Sequence, residues 1–325
     1  MLLYLSDILP IKWKTEKIMK NTKIYTNMIF VTVVALFCCA LWGSATPFIK
    51  TGYQLMLPDR DVPSTILFAG IRFTIAGLLT ILIYSTGRHK FLYPKRSSWG
   101  KIALVASVQT VIQYIFFYIG LANTSGVKGT IISGSNAFFS ILTASLVFRQ
   151  EKLTLRKIFA CIIGFSGIIL VNLDGLNLNM NFTGDCFVLF STISYAFSSV
   201  LIKKFSNDED PVIISGYQFV MGGLFMIAIG LLFNGKITIS SIQAVGVLAY
   251  LSLLSALAYS LWGILLKHNP VSRVTIFSFM TPVMGVILSE IMLTESSNVS
   301  PLNLVITIIL VSAGIIMLNY SKKSA

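Results

Sequence analysis

Charge is what this chain most lacks. Asp, Glu, Lys and Arg make up only 11% of its 325 residues, whereas 55% are hydrophobic and the mean hydropathy is +0.82. A soluble domain cannot cover its surface with so few polar groups, so an ordinary water-exposed globule is excluded. Histidine is nearly absent too, with His89 and His268 the only two. No H-E-x-x-H, G-x-S-x-G or intramembrane aspartate pair occurs, and no dense carboxylate set stands ready for a metal. Enzyme chemistry is therefore not expected, nor is a metal or any other cofactor. A G-x-x-x-x-G-K-[ST] loop is missing, which removes the sequence argument for ATP as a drive. The four cysteines (Cys38, Cys39, Cys161 and Cys186) lack metal spacing and lie in or beside apolar runs, where they read as packing residues.

Long hydrophobic runs are what the chain has in abundance. Lipid offers no hydrogen bonds, so spanning segments must be helices or a closed barrel, and runs of this length choose helices. Ten spans are predicted, at about 28–49, 65–84, 102–121, 127–148, 157–173, 185–204, 212–233, 242–265, 273–293 and 301–319. Pro58, Pro63, Pro94, Asn123-Thr124-Ser125-Gly126, Asp174-Gly175, Pro211, Asn234-Gly235, Asn269-Pro270 and Pro301 separate them.

The second half repeats the first. Gly70-Ile71-Arg72-Phe73 with Gly77-Leu78 returns 146 residues later as Gly216-Tyr217-Gln218-Phe219 with Gly223-Leu224. Trp42 to Lys50 returns as Tyr195 to Lys203, and Ser166 to Asn172 as Ala313 to Asn319. Five spans per half would invert the second half in the membrane, an architecture of alternating-access transporters. The expected fold is thus an all-α integral membrane protein of ten transmembrane helices in two inverted five-helix repeats. Residues 1–27 form a basic cytoplasmic segment, 28–173 and 174–319 the repeats, and 320–325 a cytoplasmic tail. Whether residues 1–27 lie on the membrane surface or precede a true start at Met19 stays open.

Charge orients this bundle. Twenty basic residues fall on the side shared by both termini, against Lys50, Arg60, Lys128 and Lys236 on the other. That asymmetry predicts cytoplasmic N- and C-termini. The net charge of +13 is accounted for by an anionic inner leaflet, without a nucleic-acid partner. Asn123, Asn181 and Asn298 head N-x-[ST] triplets in outer loops, but the Ile-, Asn- and Lys-rich usage favours a bacterial plasma membrane.

Leu41-Trp42-Gly43-Ser44, Gly70-Ile71-Arg72-Phe73, Ala122 to Val127, Gln150 to Thr154, Gly184-Asp185, Thr281-Pro282-Val283 and Glu295 occur in the order found in one family. From residue 28 onward the chain resembles the EamA-type branch of the drug/metabolite transporter superfamily. It departs at Gln150-Glu151 and Thr294-Glu295, where Gly-Glu is usual, and at Phe138, where a proline is familiar. The resemblance implies a ten-helix carrier of small metabolites, amino acids or drugs, often outward. Its cavity would be lined by spans 1, 3, 4, 6, 8 and 9.

Candidate binding residues follow from position and type. Arg72 lies within span 2, where a guanidinium costs about 2.5–3.5 kcal/mol to insert and must face protein, water or a counter-ion. It could fork a substrate carboxylate, clamp carbonyls or pair with Glu290. Glu290 of span 9 is the proton-coupling candidate. Gln109, Gln113 and Asn136 are amides that need partners. Trp42, Tyr118, Tyr195, Tyr259 and Trp262 offer stacking walls, and Thr281 a hydroxyl. Pro47 and Pro282 would bend spans 1 and 9 and free carbonyls. Ordinary helix packing is the bland alternative for each of these positions. The expected function is a secondary transporter exporting an amino acid or related zwitterion or carboxylate. A multidrug carrier of lipophilic cations, and a non-transporting sensor or scaffold, are the alternatives. Its partners would be a small-molecule solute and membrane lipid, with a homodimer left open.

Overall fold

The computed structural model describes residues 23–58, 61–173, 181–293 and 300–320, all of them helical or in short connections. The long helices are α1 (Met28–Met56), α2 (Val62–Gly87), α3 (Arg96–Ala122), α4 (Lys128–Val147) and α5 (Leu155–Val171). They continue with α6 (Phe182–Phe205), α7 (Pro211–Leu232), α8 (Ile242–His268), α9 (Val271–Leu288, helical on to Leu293) and α10 (Pro301–Asn319). Nine of these, among the described residues, are long and apolar enough to cross a membrane. The remaining helix, α5, has 17 residues. At 1.5 Å per residue it reaches about 25 Å, short of a hydrocarbon core of about 30 Å.

Loop chemistry sets the starts. Asn27 accepts from Ile29 N at 2.9 Å, Asp61 from Ser64 N at 2.8 Å and Ser241 from Ala244 N at 3.1 Å, each satisfying a helix-end donor. Pro63 and Pro211 stand in first turns, where no N–H is missed. The ends lie beyond the predicted ones in α1, α2 and α8, where polar residues outside the hydropathy maximum, such as Lys50, Gln54, Thr86 and Lys267, continue the helix. The chain runs helically through Pro47. In α9, Pro282 follows a 3-10 turn at Ile276–Phe279, so that helix is irregular just where a backbone donor is missing.

Four kinds of pairing build the bundle. Helix α2 packs along α7, and α5 along α10; α1 lies against α8 and α9, and α6 against α3 and α4. Moving five helices along the chain turns this set of pairs into itself. The α2–α7 crossing is antiparallel: Gly70 faces Gly223, and Gly77 faces Gly216. A Cβ on Gly77 would come within 2.5 Å of Gly216 O, and one on Gly223 within 2.8 Å of Gly70 O, so only glycine admits this approach. Gly167 against Thr307 and Gly314 against Ala160 make the α5–α10 crossing antiparallel in the same way.

Large apolar side chains face outward. Ile29, Val33 and Phe37, four apart on α1, and Leu302, Val305 and Ile309 on α10 are exposed stripes that water would penalise and acyl chains would cover. Cys38, Cys39, Cys161 and Cys186 are free, the first three of them buried, in keeping with packing roles.

Candidate functional site

Arg72 sits in α2 with 4% of its surface exposed. Its guanidinium carbon lies 4.4 Å from the Phe73 ring centroid and 6.0 Å from that of Tyr114. Tyr53, Tyr118 and Tyr259 lie in its neighbourhood. Neither Nε nor Nη1 has a hydrogen-bond partner, and Arg72 makes no ion pair among the described residues. Glu290 belongs to the helical segment Met280–Leu293, but its side chain lies outside the described residues.

Around Arg72 the helices deliver aromatic rings. Trp42 of α1 meets Tyr259 edge-on at 5.3 Å and Trp262 at 5.0 Å, both from α8. Tyr114 and Tyr259 share a hydrogen bond of 2.8 Å between hydroxyls. Phe219 of α7 stacks on Phe73 at 5.1 Å and touches Tyr259 at 4.9 Å. Tyr118 and Tyr195 complete this buried group. The Trp42 and Trp262 indole nitrogens and Gln113 Oε1 are buried without partners, and the buried Tyr53 and Tyr118 hydroxyls lie near each other. The unpaired Arg72 nitrogens and the two indole N–H groups can only donate, whereas the phenol hydroxyls and Gln113 Oε1 can accept, so the guanidinium is the group there suited to an anion.

Trp42, Arg72, Tyr118, Tyr195, Tyr259 and Trp262 thus come together. Gln109 is occupied elsewhere: Gln218 Nε2 donates to its Oε1 at 3.2 Å, and its own Nε2 donates to Ser198 Oγ at 3.1 Å. Thr110 completes that knot by donating to Gln218 Oε1 at 2.6 Å. Asn136 Oδ1 accepts from Ser278 at 3.3 Å across α4 and α9. Thr281 lies beside Cys39. Ser252 and Ser255, which share a stripe with Tyr259, donate to the carbonyls of Leu248 and Leu251 in their own helix and offer no free hydrogen.

Two further ties escaped sequence reasoning. Glu151, after α4, accepts from Ser272 N at 2.9 Å and from the Ser272 hydroxyl at the start of α9, while Lys157 Nζ stands 2.7 Å away. Arg156, close to Glu151 in sequence, instead donates to the carbonyls of Met317 and Tyr320. Its side chain is better placed over the open C-terminal carbonyls of α10. At the other end Asp185 of α6 accepts from Thr124, from Lys128 Nζ at 2.8 Å and from Asn181 N at 2.9 Å. Tyr53 was missed as well, because it lies past the predicted end of span 1. Ser272 carried only one signal, its place just after Asn269-Pro270.

An all-helical bundle with an apolar exterior, glycine-seamed pairs and a buried cluster of unpaired donors defines a membrane transport protein. The chain belongs to the EamA-like transporter family, whose model matches residues 28–173 and 182–320. An uncharacterized transporter of Bacillus subtilis is 24% identical over 294 residues, covering 89% of this chain and 91% of the relative. One of Synechocystis is 26% identical over 293 residues, covering 85% and 84%. A WAT1-related chloroplastic protein of Arabidopsis thaliana is 26% identical over 77% of this chain, which spans 63% of that relative's length. A solved crystal structure shares the fold, with a TM-score of 0.72 at 15% identity, over 89% of this chain and 97% of the other.

Proposed function

We propose that the chain is a ten-helix secondary carrier whose two five-helix halves have opposite orientation and rock around the Arg72 cluster. Its solute is a small molecule bearing a carboxylate, such as an amino acid or related zwitterion, moved outward across a bacterial plasma membrane with both termini cytoplasmic. The observation that carries this reading is the buried Arg72 guanidinium with two unpaired nitrogens, beside the Phe73 and Tyr114 rings. A structural clamp would have carbonyls on those nitrogens; a binding site leaves them for the ligand. A lipophilic cation would meet repulsion there.

The antiparallel α2–α7 and α5–α10 crossings support the inverted arrangement, since each joins repeat-related helices. The Glu151–Ser272 tie joins the halves at the end rich in basic loops, and the Asp185–Lys128 tie joins them at the other. Making and breaking such ties in turn is what alternating access requires.

The test is efflux from proteoliposomes loaded with a mixed pool of amino acids and organic acids, read by mass spectrometry with and without a pH gradient. Selective loss of one carboxylate-bearing class, abolished by Arg72→Ala, is expected. Well-folded protein that moves nothing would overturn the carrier, and undiminished flux in Arg72→Gln would overturn the role of the guanidinium. Gradient dependence removed by Glu290→Gln would assign proton coupling to that carboxylate.

A further inference from the structure

Four aromatic side chains close into a cycle where the two halves of the chain meet. Phe73 of α2 stacks on Phe219 of α7 at 5.1 Å, and Phe219 meets Tyr259 of α8 edge-on at 4.9 Å. Tyr259 shares its hydroxyl bond of 2.8 Å with Tyr114 of α3, and Tyr114 returns to Phe73 at 4.5 Å. Each half supplies two members. Phe73 and Phe219 stand 146 residues apart at matching places in the repeat, and α3 and α8 are repeat-related helices.

The sides of this cycle differ in what holds them. The Phe73–Phe219 stack rests on the glycine seam of α2 and α7, whose backbones touch and cannot part without unpacking the bundle. Helix α2 also packs on α3, and α7 on α8. Helices α3 and α8, in contrast, are not among the closely packed pairs of the described residues. Two phenol side chains reach across that gap tip to tip, and a hydrogen bond closes the fourth side. A bond between neutral hydroxyls contributes modestly, so it can break and re-form while the seam stays intact. Arg72 stands at the same cycle, its guanidinium carbon 4.4 Å from the Phe73 centroid and 6.0 Å from that of Tyr114.

We propose that the Tyr114–Tyr259 bond is a bridge that shuts the space between α3 and α8 beside Arg72 and parts when solute passes. Tyr114, absent from the residues expected to bind, is thereby a positioning residue that acts through the hydroxyl of Tyr259. The passage of solute rests on the carrier reading; the bridge itself rests on the ring geometry.

The chain carries its own reporter of opening. Cys38 of α1 is fully buried, with Sγ 3.6 Å from the carbonyl oxygen of Ala258, the residue before Tyr259. The experiment measures the rate at which N-ethylmaleimide labels Cys38 in proteoliposomes, resolved by peptide mass spectrometry, alongside the efflux assay. Tyr114→Phe and Tyr259→Phe each keep the ring and delete the bond. Each should raise the labelling rate and the solute turnover roughly fivefold, the weight of one neutral hydrogen bond, with half-saturation unchanged. The double variant should match either single one, because all three lack the same bond. Tyr250→Phe is the control. It removes the 2.7 Å hydroxyl bond to Ser44 between α8 and α1, which do pack together, and should label like the parent. Additive effects in the double variant, or parent-like labelling in either folded single variant, would overturn the bridge. So would an equal rise in Tyr250→Phe, or altered half-saturation at unchanged turnover, which would make the phenols plain solute contacts. A parent protein that moves no solute overturns the carrier reading instead, and Cys38 labelling still decides the bridge.

Discussion

Arg72 and Gln218 occupy the same place in the two repeats, two residues after Gly70 and Gly216 on the paired helices α2 and α7. Both are buried, at 4% and 0% exposure. Their bonding is opposite. Gln218 gives its Nε2 to Gln109 and takes the Thr110 hydroxyl, so its amide is engaged at both ends. Arg72 keeps Nε and Nη1 unpaired beside aromatic rings. Symmetry therefore governs the backbone crossing, while side-chain chemistry at equivalent points serves different ends. One half closes its polar groups into a knot that holds helices, and the other leaves donors unpaired.

Gly223→Leu attacks what the two halves share. Its side chain would drive into Thr74 and Gly70 O, and no folded monodisperse protein should survive detergent extraction. Arg72→Ala attacks what differs. Transport should fall by about 100-fold, the loss of a few charge-assisted hydrogen bonds, while Tm stays near that of the parent. Arg72→Lys should recover only part, since an ammonium lacks the planar fork. Gln218→Ala is the mirror experiment: thermal unfolding should register a loss of about 1 kcal/mol, with flux changed less than about threefold. A Gln218→Ala protein that is stable but inactive would erase the distinction between the two positions.

Smaller effects sharpen the contrast between the two ends. Glu151→Gln weakens the tie to Ser272 and Lys157, so amides in the first turn of α9 should exchange faster by roughly tenfold, without loss of fold. Glu209, in the loop before α7, would be raised by burial, yet the backbone N–H groups of Lys95 and Asp210 hold its carboxyl below the ordinary 4.5. A depressed folded value means its stabilisation is complete above 4.5 and fades as pH falls through the lower value. Glu209→Gln should flatten that acid limb of the Tm profile, and an unchanged limb would show that the contact contributes nothing.

Much of the frame was legible in the sequence. The glycines at 70, 77, 216 and 223 already marked a repeated close approach, and hydropathy located the helices. The site was legible only in part. Gln109 and Gln113, four residues apart, read as one face, yet the structure commits Gln109 to Gln218 and leaves Gln113 Oε1 unpaired. Gln109 lies within a π-helical stretch, Ala106–Ile112, and Gln113 just beyond it, so sequence spacing alone does not place both on one α-helical register. Glu151 and Ser272 are 121 residues apart and meet only through folding, so no local pattern joins them.

Composition and periodicity by themselves determined that this chain enters lipid as helices, because scarce charge and long apolar runs leave no other way to satisfy the backbone. The repeat determined which helices correspond. Tertiary structure alone decided which buried polar groups find partners within the protein and which do not. Hydrogen bonds depend on distances and angles across helices, which no single segment's pattern carries.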